Sequence, residues 1–297
     1  MVRRFMRLAA ISLILAFAPF AGGVQAQKND SIGEQQMAAW VKAGQVAKTG
    51  PVSVPLAGQV DFNLQAGFAF VPQPEAGELL RSFGNTPSAD LLGVVIPTGD
   101  EDWIATVRFI KSGYIKDDDA KDWDANELLE DLKEGTEAAN KDRVARGFPE
   151  FEVKGWIEKP VYDTATHRLI WSILGMDKGG KEEDASVNYN TYVLGREGYV
   201  SLNFITSPAR IESEKAIAKQ LLASISYVNG KAFGDFNPST DHVAEYGLAA
   251  LVAGAAAKKL GLFAVIAAFL AKFAKVILVG ALALGGAAVN LFRRKAS

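Results

Sequence analysis

The 297 residues carry 32 Lys and Arg against 34 Asp and Glu, and no cysteine. The missing cysteine excludes a disulfide framework, a thiolate nucleophile and Cys-ligated metal. The charge is uneven: residues 27–243 hold 22 basic and 33 acidic residues, net −11, between two basic ends. That balance excludes nucleic acid as a partner of the body, because phosphates demand a basic face.

Residues 1–26 have the three regions of a secretory signal. Arg3, Arg4 and Arg7 are followed by an apolar run from Leu8 to Phe20, and Val24-Gln25-Ala26 supplies the small residues before a cut. The mature chain is expected to start at Gln27 as an exported domain, 27–236.

Ser31 and Glu34 predict a capping box that opens a helix through Met37, Ala38 and Val41. Val52–Leu56 and Val60–Leu64, with Ala57-Gly58 between them, predict a hairpin. Phe68 to Pro72 reads as a strand, Glu75 to Phe83 as a short helix, and Leu91 to Ile96 and Trp103 to Lys111 as two buried strands.

An acidic loop follows, with Asp117, Asp118, Asp119, Asp122 and Asp124. Neither register of it puts Gly at the sixth position of a calcium loop. Asp124 and Glu127 instead suit the start of a helix running to about Arg146, with Leu128, Leu129, Leu132 and Ala139 as its apolar stripe. On that helix Asn140 and Arg143 share one face, either solvated or gripping an anion.

From Phe151 the period changes to two. Phe151, Val153 and Ile157 alternate with Glu152, Lys154, Trp156 and Glu158. His167, Leu169, Trp171 and Ile173 alternate on the return, and Val187–Leu194 and Tyr199–Ile205 complete a four-strand antiparallel meander. Pro160 puts the first of these strands at an edge or a bulge. A last helix has the stripe Ile217, Leu221, Ile225 and Val228. Strands in hairpins rather than in β-α-β units predict an α+β fold: a mostly antiparallel sheet with helices packed on it.

Residues 237–245, containing Asn237-Pro238-Ser239-Thr240, read as a linker. Lys258 and Lys259 interrupt the next apolar stretch, so 246–275 is expected to lie as an amphipathic helix in a membrane interface. Residues 276–292 predict one transmembrane helix, extended by snorkelling of Lys275 and Arg293. Arg293, Arg294 and Lys295 then form a cytoplasmic tail (293–297) under the positive-inside rule, although four lysines on the outer side fit that rule less well. The expected location is the inner (cytoplasmic) membrane, with the main domain in the periplasm. Glycines of the C-terminal region permit homo-oligomers.

Several phrases carry a family resemblance: Leu92 to Pro97, Ser112 to Asp118, the helix end with Asn140, Arg143 and Gly147, Gly155-Trp156 with Pro160 and Tyr162-Asp163, and His167 to Trp171. Together they resemble uncharacterised bacterial membrane-anchored proteins grouped as a domain of unknown function. The resemblance implies an exported domain with a C-terminal anchor, and no activity.

No H-E-x-x-H, phosphate loop or G-x-S-x-G elbow is present, and no cofactor is expected. Only two histidines exist, His167 and His242. The favoured expectation is a non-enzymatic envelope protein, held by membrane lipid and binding an envelope protein partner through Tyr114, Asp117, Asp118, Asn140, Arg143, Trp156 and Tyr162. The alternative is a hydrolase or metal-dependent enzyme that uses the Asp117–Asp124 loop with Asn140, Arg143 and His167. It requires those groups to converge.

Overall fold

The computed structural model describes the backbone of residues 22–121 and 123–253, and the side chains of 33–120 and 123–253. Most of the expected leader, the segment after 253, the expected span 276–292 and the tail 293–297 lie outside the described residues. No helix among the described residues is long and apolar enough to cross a membrane.

The chain runs α1 (Gly22–Val46), β1 (Lys48–Thr49), β2 (Val52–Leu56), β3 (Val60–Leu64), β4 (Phe68–Pro72), α2 (Glu75–Ser82), β5 (Leu91–Pro97) and β6 (Ile104–Ile110). Then come α3 (Ala125–Ala145), β7 (Phe151–Asp163), β8 (Arg168–Asp177), β9 (Ser186–Leu194), β10 (Tyr199–Thr206), α4 (Ile211–Ala223), β11 (Ile225–Tyr227) and α5 (Leu248–Ala253). Eight strands form one antiparallel sheet, ordered β1-β4-β5-β6-β10-β9-β8-β7, and β11-β3-β2 form a second. The hairpin, the α+β class and the four-strand meander stand as the sequence reads.

Alternation along the strands assigns the large sheet's two faces. On one face Phe70, Val95, Val107, Tyr189, Val200 and Phe204 pack against the small sheet's Phe62 and Leu64 and against Leu221 of α4. Trp103 is fully buried there, its ring 5.0 Å from Phe204 and 5.6 Å from Phe68. The opposite face is covered at its two ends. α1 and α2 pack Trp40, Ala43 and Leu79 on Val71, Val94 and Ile96. At the far end Leu128 of α3 and Leu248, Leu251 and Val252 of α5 pack on Val153, Leu169 and Trp171.

Four expectations are corrected. α1 begins before Ser31, so Ser31 and Glu34 are interior helix positions rather than a cap; the intervening Gln25 to Lys28 are compatible with helix and let it continue. Ala139 is exposed on α3, whose inward face continues through Asn140. On β7 the register against β8 shifts between Val153 and Gly155, again between Trp156 and Glu158, and again before Val161. Each extra residue exchanges inside for outside, so Trp156 turns inward and Ile157 outward. Finally α4 ends at Ala223 with Ser224 as its C-cap, and Ile225–Tyr227 pair with β3 instead of continuing the stripe. That β-branched and aromatic run gains ladder hydrogen bonds at an open edge, which outweighs its weak helical preference.

Candidate functional site

The acidic loop leaves β6 and meets the chain's C-terminal segment. Gly113 passes beneath residue 242 so closely that a Cβ there would lie 2.6 Å from the His242 side chain and carbonyl. The Tyr114 N–H donates to the His242 carbonyl and the Ala244 N–H to the Tyr114 carbonyl, both at 2.8 Å, making a short parallel bridge. The Tyr114 ring stacks on Phe236 at 3.9 Å and lies 4.5 Å from Phe233, which in turn stacks on the His167 ring at 3.9 Å.

Under this aromatic ladder sits a polar triad. The Tyr162 hydroxyl donates to Asp117 Oδ2 at 2.8 Å, and His167 Nδ1 lies 3.1 Å from the phenol oxygen. The phenol has one proton and gives it to the carboxylate, so Nδ1 of His167 is the donor in the second contact. Burial, then the hydrogen bond to Asp117, push the Tyr162 phenol far above its usual range, so it stays a neutral donor. Burial chiefly, with Asp117 and Asp118 adding, raises Tyr114 as well. His167 has φ of 52° at the turn into β8, a conformation few non-glycine residues adopt.

Asp119 does something the sequence does not announce. Its two carboxylate oxygens accept the backbone N–H groups of Leu248 (3.0 Å) and Ala249 (3.1 Å), the first residues of α5. The carboxylate thus satisfies orphan donors and faces the positive end of the helix, as an N-cap would, but from about 130 residues away in sequence. Gly247 makes room, since a Cβ there would stand 2.3 Å from Asp119 Oδ2.

The segment expected as a linker, 237–245, is fastened to the body. Arg196 grips Asp241 with Nε at 2.6 Å and Nη2 at 2.8 Å, a two-pronged pair. Arg196 also donates through Nη1 to the Gly230 carbonyl, and Lys231 pairs with Glu197. The guanidinium, then the Asn237 N–H, hold the Asp241 carboxyl well below its ordinary range. At the start of the stretch expected in a membrane interface, Leu248, Leu251, Val252 and Ala253 are buried against the sheet.

The other sequence-selected residues lie elsewhere. Trp156 Nε1 donates to the Ala125 carbonyl at 2.9 Å and pins the start of α3 to β7. Asn140, 2 % exposed, exchanges two hydrogen bonds with the Phe151 backbone, 2.8 and 2.9 Å. Arg143 donates to the Pro149 carbonyl and to Asp177 at 3.3 Å, with its guanidinium over the Phe151 ring. Asp118 is exposed in a single 3-10 turn, Asp118–Lys121. Asp177 and Arg168 are the two ends of β8, so at about 3.3 Å per residue Arg143 and His167 stand roughly 30 Å apart. The structure brings together Tyr114, Asp117, Tyr162 and His167, and does not bring Asn140 or Arg143 to them. No group of three or more His, Asp or Glu among the described residues could hold a metal ion.

Two outcomes are expected. Asp119→Ala removes the cap of α5 and should cost about 1 kcal/mol of stability, with faster amide exchange at Leu248 and Ala249 and unchanged exchange in β9 and β10. The Arg196–Asp241 pair depresses a carboxyl in the folded state. Its stabilisation is therefore fully present above the unfolded value of about 4 and is lost as pH falls through the folded value. Wild type minus Asp241→Asn, measured by urea unfolding, should be constant near neutrality and shrink below about pH 4.

Comparison with known proteins adds the family. No curated protein matches the chain. The solution structure of cyanobacterial PsbP (CyanoP) from Synechocystis sp. PCC 6803 is similar at 11% identity and a TM-score of 0.37, covering 61% of this chain and 98% of that one. The crystal structure of PA94, a protein of unknown function from Pseudomonas aeruginosa, is similar at 10% identity and a TM-score of 0.20, covering 46% and 73%. Residues 27–284 match the model of a family described as a protein of unknown function, DUF2167, and the chain belongs to that family.

Proposed function

We propose that this chain is a non-enzymatic binding domain held at a membrane in a fixed posture by its own C-terminal segment. The observation that carries the reading is the docking of residues 231–253: Asp119 caps α5, and Leu248, Leu251 and Val252 are buried with Leu169 and Trp171. In sequence, the apolar residues that follow begin directly after this docked segment rather than after the Asn237-Pro238-Ser239-Thr240 stretch. A domain on a flexible linker samples a wide volume; a docked one keeps one face toward the lipid.

The leader-like residues 1–26 and the cations flanking 276–292 support export of the body and a single span, with the tail in the cytoplasm. The net −11 body suits a protein or envelope component as partner, presented close to the membrane surface. On β7, the outer strand of the meander, Ile157 and Val161 are the exposed apolar side chains, 38 % and 60 % exposed. Tyr114, Tyr162 and Trp156, by contrast, are spent on internal contacts. The Asp117–Tyr162–His167 triad is a clamp in this reading, since its phenol is neutral and Arg143 is far from it.

Carbonate extraction of cells producing the full chain tests the anchor. The protein should stay in the pellet and be cut by protease added to spheroplasts. Recovery in the supernatant, or protection from the protease, contradicts the reading.

A further inference from the structure

Between the two helix pairs on the large sheet, the middle of the face is polar. Alternation puts Thr106 and Arg108 of β6 opposite the core residues Ala105, Val107 and Phe109. Ser201 and Asn203 of β10 are the register partners of Arg108 and Thr106. Across β9 the next partners are Tyr192 and Asn190, with Asn188 one step along. The result is a belt three strands wide, about 10 Å across at the usual strand spacing. α1 and α2 stand on one side of it, α3 and α5 on the other. The helix pairs are linked to each other where Arg146 Nη1, just past α3, donates to the Gly84 carbonyl (2.8 Å) and Thr86 Oγ1 to Asp142 (3.1 Å).

This belt is not satisfied internally. Thr106 is 3 % exposed, yet its Oγ1 has no hydrogen-bond partner among the described residues; nor have the buried Arg108 Nε and Asn203 Oδ1. The amides tie mostly to one another: Asn203 Nδ2 donates to Asn188 Oδ1 at 3.3 Å and Asn190 Nδ2 to the Asn188 carbonyl at 3.2 Å. Arg108 is half-buried and forms no ion pair among the described residues. Asp90, which precedes the register partner of Arg108, Leu91, is exposed and forms no ion pair with it. Burial without partners is costly for such groups, and a guanidinium so placed is matched by an oxyanion it can hold with two parallel donors. Tyr192 and Tyr199 add phenols that burial keeps protonated, Tyr192 up to about 12, so they bring no competing negative charge.

We propose that the belt binds the carboxylate or phosphate group of a small water-soluble molecule, seated on Arg108, with Thr106, Ser201 and the Asn188–Asn190–Asn203 amides contacting its polar remainder. Arg108 is the charge-pairing residue of the site, and the amides set orientation. The site is independent of whether the chain is held at a membrane.

Thermal melting and calorimetric titration of the full chain in mild detergent test this, with inorganic phosphate and acetate as probes at constant ionic strength against chloride. At least one anion should raise the melting temperature in a saturable way. Arg108→Gln should weaken that anion about tenfold or more, as loss of a charge-assisted pair requires. No shift with either anion, or an equal shift in Arg108→Gln, overturns the proposal. If Arg108→Gln does not fold, Arg108→Lys decides. It keeps the charge and loses the two-pronged geometry, so weaker binding supports the site and unchanged binding overturns it.

Discussion

The structure depends on one long-range contact: the acidic loop after β6 holds residues 242–249. Tyr114 pairs its backbone with residues 242 and 244, Asp117 anchors Tyr162, and Asp119 starts α5. Three consecutive functions fall within six residues because the loop crosses the sheet end where the chain returns. Without that crossing, Phe236 would lose the Tyr114 ring, Phe233 would keep only His167, and Leu248, Leu251 and Val252 would lose their place in the core. Burying side chains of that size is worth about 1.5–3 kcal/mol each, so the contact is maintained by packing as much as by its hydrogen bonds.

Much of the body was legible in the sequence because its signals are local. The turn at Ala57-Gly58, the Asp124 cap, whose Oδ1 accepts the Asn126 N–H at 2.6 Å, and the alternation of Leu169, Trp171 and Ile173 each follow from residues a few positions apart. The errors share a cause as well. Pro160 marked the strand as an edge or bulge, and the register does shift between Glu158 and Val161, but the earlier bulges that reverse Trp156 and Ile157 carry no such mark. Ile225 belonged equally to a helical stripe and to a strand, and the open edge of β3 decided between them.

The site was less legible because its parts are far apart in sequence. Asp119 was one of five aspartates in a loop, and nothing near it distinguishes the one that caps a helix beginning at Leu248. Asn140 and Arg143 carried polar functions and a shared face, but both tie α3 to the start of β7 and the end of β8. Arg108 lies inside Trp103 to Lys111, which reads only as a buried strand. Only the register of β6 against β10 and β9 reveals that its neighbours are Ser201, Asn203 and Tyr192. The sheet thus has an apolar face for stability and a second face whose ends are covered and whose middle holds unpaired polar groups. A fold built on that division can combine a rigid attachment at one end with recognition in its centre.

Rigid attachment is the claim on which the functional account rests, and the cysteine-free chain allows a direct measurement of it. Spin labels on Lys181→Cys, at the β8–β9 connection, and on Glu245→Cys, just before α5, would report one distance by pulsed electron resonance in detergent or lipid. The account predicts a single narrow distance distribution that broadens when Asp119 is replaced by Ala. A broad distribution in the otherwise unaltered protein, the same with or without Asp119, would contradict it.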